Sequence, residues 1–164
     1  MDKEYIIDSN ILISSSRRFY PFDIMPGFWR QFLEKIDGKV VLIDKVKEEI
    51  FSGNDQLSDW LRENQACFIQ KNMSDIDVIN AYSRIIQNVA DNPRYSEAAK
   101  EEFARVADSW ICAHALAHKY VVVTEETYDP NSKKRVKIPN ICKGYEIEYI
   151  DMLRFFREIE VKIL

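Results

Sequence analysis

The sequence predicts an α/β fold, with a central, mainly parallel β-sheet of four to five strands flanked by helices. Two observations predict it. Short apolar runs such as KVVLI at 39–43 and YVVVT at 120–124 are rich in β-branched residues and continuous, not alternating with polar positions, which is the pattern of strands buried on both faces. They alternate along the chain with segments of helical periodicity, as in a succession of βα units. At 164 residues, 46% hydrophobic and 12% aromatic, the chain suits a single domain over 1–164 with one sizeable core.

The first strand is expected at 4–8 (EYIID), the second at 39–43, a weaker third at 66–70 (ACFIQ), the clearest at 120–124 and a short last one at 146–150. Phe28, Phe32, Leu33 and Ile36 recur at helical spacing after the first strand, as do Leu57, Trp60 and Leu61 after the second. SDID at 74–77 starts the next helix, with Ser74 as cap, and Ile79, Tyr82, Ile86 and Val89 form its apolar stripe. DNPRYS at 91–96 ends that helix. A long helical pattern then runs from Glu97 to about His118 and leads into YVVVT, and Asp151 caps a last helix carrying Leu153, Phe156 and Ile159.

No run approaches the roughly 18 apolar residues of a membrane span. Asp2, Lys3, Glu4 and Asp8 stand where a signal peptide would be basic and then apolar, so a soluble, cytoplasmic protein with no membrane partner is expected. Cys67, Cys112 and Cys142 are odd in number and widely spaced, which points to reduced core or half-buried thiols. A net charge of −4 argues against coating nucleic acid through the overall field. It leaves room for an enzyme that touches nucleic acid locally, because acids gathered for a cation count as negative until the cation arrives.

The acids sit in informative places. Asp8 ends the first strand, Glu125 and Glu126 follow directly on YVVVT, and Glu48 and Glu49 lie in the helix after KVVLI. In a parallel sheet, ligands bind beyond the carboxyl ends of the strands near a switch in strand order, so adjacent strands would gather these acids on one edge. Asp108 adds a charge to the helix face it shares with Ile111 and Ala115, a face that reads as buried. Carboxylates crowded in a cleft are driven toward protonation unless a cation sits among them, and hard oxygen donors suit Mg²⁺ or Mn²⁺.

Four stretches in this order, YIIDSNILI (5–13), EEIFSGN (48–54), ADSWICAHALA (107–117) and VVVTEE (121–126), resemble the signatures of PIN-domain ribonucleases, found among the toxins of bacterial and archaeal toxin–antitoxin pairs. The resemblance implies a three-layer PIN-like fold and a Mg²⁺- or Mn²⁺-dependent endoribonuclease. Asp8 matches the family's first acid, Glu49 the second with Glu48 as its neighbouring alternative, and Asp108 the third. Many relatives carry T-x-D at the fourth position. Here Thr124 is followed by Glu125 and Glu126, so Glu126 takes that place with a longer side chain. These four acids are the expected catalytic and metal-binding set, supported by Ser9, Asn10 and Thr124. An RNA substrate, a cognate antitoxin and a homodimer are the partners that the resemblance implies.

Other readings remain open at this stage. Each acid by itself could be a cap or a solvated residue, and only their joint order points to a metal. An aspartyl-phosphate phosphatase would need a second Asp where Asn10 stands. A PIN-like module that binds a partner protein or RNA without cleaving is the alternative outside enzymes. His114 and His118 have a zinc-compatible spacing but no evident third ligand. Arg17, Arg18, Lys133, Lys134 and Arg135 are candidate RNA contacts, and the aromatic group Phe19, Tyr20, Phe22, Phe28 and Trp29 reads first as core.

Overall fold

The computed structural model describes residues 2–163. Five strands, β1 (Tyr5–Ile7), β2 (Val40–Ile43), β3 (Ile69–Lys71), β4 (Val121–Val123) and β5 (Tyr149–Ile150), form one sheet in the order β3-β2-β1-β4-β5. Every neighbouring pair is parallel. β1, β2 and β4 are buried along their whole length, so both faces of the sheet are covered. The cover comes from nine α-helices among the described residues: α1 (Ser9–Ser14), α2 (Pro26–Ile36), α3 (Asp44–Ser52), α4 (Gln56–Asn64), α5 (Ile76–Ala90), α6 (Glu97–Arg105), α7 (Ala107–His118), α8 (Ile138–Gly144) and α9 (Met152–Glu158). This is the expected α/β class. None of these helices is long and apolar enough to cross a membrane.

From β1 the chain winds outward through β2 to β3, then returns to place β4 on the other side of β1. The switch in strand order therefore falls between β1 and β4, where open α/β sheets leave a crevice. Ile7 pairs with Val123, and the Asp8 N–H donates to the Val123 carbonyl at 3.1 Å. Asp8 and Thr124 consequently leave the sheet side by side.

Aromatic packing joins α2, α4 and α9. Phe28 lies 5.3 Å from Phe156, Trp29 4.8 Å from Trp60, and Tyr5 of β1 5.2 Å from Phe155. Of the aromatic group near the N-terminus, Phe28 and Trp29 are buried, Tyr20 and Phe22 pack against them, and Phe19 is half exposed. On α7, the small buried residues Ala107, Ala113 and Ala115 permit close packing, and Trp110 stacks on Tyr82 of α5 at 3.8 Å.

Several expectations are corrected. The long helix from Glu97 to His118 is two helices, parted where Val106 turns extended (φ −94°, ψ 173°). No Gly or Pro marks this break; its consequence lies in the site, because it opens a fresh helix N-terminus there. Asp75, not Ser74, caps α5 by accepting from the Asp77 N–H, while Ser74 binds Asn72. The buried stripe of α5 is Val78, Ala81, Ile85 and Val89, and Ile79 faces outward. Two adjacent apolar stripes share Val89, and periodicity could not choose between them. Residues 65–67 form a 3₁₀ turn ahead of β3, Leu153 is exposed, and α8 forms over IPNICKG at 138–144, where no helix is expected. All three cysteines are free, with Cys112 and Cys142 buried and Cys67 half-buried.

Candidate functional site

The C-terminal edge of β1 and β4 opens into a cleft of about 430 Å³. Asp8, at the junction of β1 and α1, and Asp108, in the first turn of α7, both line it, as does Glu49 of α3. The side of the cleft formed by Phe103 and Val136 is apolar, and Lys134 and Arg135 add positive charge to its lining.

The break at Val106 shapes this arrangement. It exposes the Ala107 N–H at the start of α7, which donates to Glu49 Oε1 at 3.1 Å, while the Ser9 hydroxyl donates to Glu49 Oε2 at 2.7 Å. Free N–H groups at a helix start attract a carboxylate. Glu49 thus links α1, α3 and α7. Glu126 is held similarly, with the Ile138 N–H at the start of α8 donating to Oε2 at 2.9 Å and Arg135 pairing with Oε1. Its own N–H donates to the Thr124 hydroxyl at 3.1 Å. Thr124 Oγ1 also stands 3.5 Å from Asp8 Oδ2, at the limit of a hydrogen bond.

Asp8 and Asp108 are less well provided for. Burial, followed by the nearby negative charge of Glu126, pushes Asp8 up to about 6, with the Asn10 N–H partly offsetting this and Glu49 adding to it. Burial and the charges of Asp8 and Glu126 push Asp108 up to about 8, against the opposing influence of Arg135, whose guanidinium is 4.0 Å away. The charge of Asp8 adds to Asp108's cost of ionisation, and Arg135 offsets the burial and repulsion at both only in part.

The remaining candidates are dispersed. Glu48 is exposed beside Lys45, and Glu125 turns to α9, accepting from the Met152 N–H at 2.7 Å. Of the adjacent pair Glu125 and Glu126, it is Glu126 that lies with the other acids. Ser9 is buried and Asn10 is exposed on the cleft. Arg17 pairs with Asp55 at 3.2 Å, and Arg18 and Lys133 are exposed outside the cleft lining. His114 is buried with neither ring nitrogen hydrogen-bonded, whereas His118 meets Asp75 at 2.6 Å. Sequence reasoning missed the Ala107 and Ile138 N–H groups and the place of Arg135 among the acids, since backbone donors carry no residue-type signal and a basic loop reads first as solvated.

As placed, no three His, Cys, Asp or Glu side chains among the described residues come close enough to share one metal ion. Two of the four acids, Glu49 and Glu126, are held by N–H groups, a hydroxyl and a guanidinium; of the other two, Asp8 is buried and Asp108 partly buried, and only Arg135 offsets their charge. That donor set fits a hard divalent cation, which relieves the repulsion and accepts carboxylate oxygens.

A parallel α/β sheet with an acidic cleft at its switch point is therefore the class that fold and site define. The chain belongs to the family described as Domain of unknown function (DUF4411), which it matches over residues 5–163. No curated protein matches it. Among solved structures, VapBC2 from Rickettsia felis bound to a DNA fragment from their promoter is similar at 13% identity and a TM-score of 0.49, covering 90% of this chain and 97% of that one.

Proposed function

We propose that this protein is a metal-dependent endoribonuclease of the PIN type that hydrolyses RNA phosphodiester bonds, acting in the cytoplasm as the toxin of a toxin–antitoxin pair. The observation that carries this reading is the meeting of buried Asp8 and partly buried Asp108 on one cleft at the sheet's switch point, with Glu49 beside them, where both aspartate carboxyls are pushed above their ordinary range. Perturbed acids in a cleft are characteristic of functional sites. The antitoxin partner and a homodimeric state follow from the motif resemblance.

Asp8 and Asp108 would hold Mg²⁺ or Mn²⁺, with Glu49 and Glu126 completing the site directly or through water. Such an ion, when bound, polarises a phosphate and lowers the pKa of a water. Ser9 and the Ala107 N–H fix the orientation of Glu49, and the Ile138 N–H fixes Glu126. Either glutamate could accept the proton of an attacking water. Thr124 steadies the turn that presents Glu126. Lys134 on the cleft, with Lys133, Arg17 and Arg18 farther out, would meet the RNA backbone.

The test is cleavage of a mixed RNA pool by metal-stripped protein with Mn²⁺ restored, against Asp8→Asn and a chelator control. Cleavage by the wild type that the variant and the chelator each abolish supports the reading. Cleavage that persists in Asp8→Asn contradicts it. A second reading, a partner-binding module without activity, draws on the engagement of Glu126 by Arg135, and is favoured if purified wild type binds RNA and leaves it intact.

A further inference from the structure

We propose that Arg135 is the resident counter-ion of the acidic cleft, which must give up Glu126 before a divalent cation can take its place. The proposal rests on the metal-site reading above and adds a cation of the chain's own to it. The Arg135 guanidinium pairs with Glu126 Oε1 and stands 4.0 Å from Asp108 Oδ2, so it spans two of the four acids. The other Glu126 oxygen is occupied by the Ile138 N–H. Both Glu126 oxygens thus already have a partner, and a metal drawing on the Oε1 lone pairs would compete with Arg135 for the same negative charge. A divalent ion approaching Asp108 would also meet the guanidinium's like charge within a few ångströms, a repulsion that solvent around the half-exposed side chain weakens without abolishing.

The loop is built so that the side chain can leave while its backbone stays. Val136 is buried, the Ser132 hydroxyl donates to the Arg135 carbonyl at 2.6 Å, and the Ser96 N–H donates to the Lys133 carbonyl at 3.0 Å. Arg94 also binds the Pro130 carbonyl. The Arg135 side chain, by contrast, is 59% exposed. Its ties to the acids are ionic and one-sided, and a stronger cation can replace them. Lys134 supplies an internal comparison, since it lines the same cleft and forms no ion pair among the described residues.

The experiment is calorimetric Mn²⁺ titration of the metal-stripped full chain in mildly alkaline buffer under nitrogen, comparing wild type, Arg135→Gln, Arg135→Lys and Lys134→Gln. Removing the competitor is expected to tighten Mn²⁺ binding by roughly tenfold in Arg135→Gln. Arg135→Lys should stay near wild type, and Lys134→Gln within about twofold, since a screened charge acts weakly at a distance. Unchanged or weaker binding in Arg135→Gln overturns the proposal, as does an equal gain in Lys134→Gln, which would reveal a general field effect. Mn²⁺ binding by wild type with no gain in Arg135→Gln removes this proposal alone. Absence of binding in all four proteins removes the metal reading and the proposal with it. Wild-type protein gives an independent check if Arg135→Gln folds poorly. Mg²⁺ should move the Arg135 Nε–Hε resonance to that of a free guanidinium, and a resonance that does not move contradicts displacement.

Discussion

The two ends of β1 treat acids in opposite ways. Beside Tyr5, Glu158 accepts from the Tyr5 hydroxyl at 2.8 Å and from Arg154 Nε at 2.8 Å, with Lys3 3.7 Å away. Burial works against its charge, yet these three partners together hold the carboxyl below its ordinary range. Three residues along, Asp8 is only 3% exposed and is pushed up, with Glu126 and Glu49 as its charged neighbours and Arg135 a weak offset. The chain can thus balance an acid where it serves packing. At the switch point it leaves acids unbalanced, a local instability that a bound cation would remove.

The largest break in this comparison is expected from Asp8→Asn combined with Asp108→Asn. If the cleft holds a catalytic metal, loss of two ligands removes several kcal/mol of transition-state stabilisation, about a thousandfold or more in cleavage rate. The same variant should melt higher than wild type in metal-free buffer, because it removes repulsion at nearly constant volume. Parallel cleavage and melting assays check both halves, and a lower melting temperature would contradict the electrostatic account.

A second contrast is pH dependence without metal. Asp108 is raised from 3.8 to about 8, so over this range the folded state retains a proton that the unfolded chain has lost, and stability falls as pH rises. His114, lowered from 6.5 to about 4 chiefly by burial, acts the other way below its unfolded value, adding stability as pH rises. The clean window is therefore about 6.5 to about 8, where the melting temperature should decline and the decline should vanish in Asp108→Asn. A flat profile in wild type would show that Asp108 is compensated.

Smaller effects sharpen the comparison. Glu49→Gln keeps most of the bridge between α3 and α7 but loses a charge, and about a tenfold loss of Mn²⁺ affinity is expected by calorimetry. At the balanced end, Tyr5→Phe should cost about 1 kcal/mol in denaturant unfolding, the value of one hydrogen bond, and leave Mn²⁺ affinity unchanged. A change in metal affinity there would mean that the two ends are coupled.

Much of this was legible in the sequence, and the failures have physical causes. The continuous apolar runs located β1, β2 and β4 to within a residue or two because burial on both faces leaves no polar positions to confuse the pattern. The edge strands β3 and β5, partly exposed and carrying polar residues or flanked by them, were legible only as weak or short segments. The order of Asp8, Glu49, Asp108 and Glu126 anticipated which side chains the topology gathers at β1 and β4. The split at Val106 was hidden because 97–118 keeps helical periodicity across it, and the acceptor that meets the freed Ala107 N–H, Glu49, lies 58 residues away in the chain. The choice between Glu125 and Glu126 depended on where α9 begins. Arg135 was visible only as part of KKRVK, since nothing in that run tells which of its cations turns inward.

The most direct measurement is Mn²⁺ titration of metal-stripped wild type alongside the Asp8→Asn, Asp108→Asn double variant, with an uncleavable RNA analogue present to supply phosphate oxygens. The account predicts saturable binding by wild type that disappears in the variant. Equal binding by both proteins, or none by wild type, would contradict a divalent-cation site at the junction of β1 and β4.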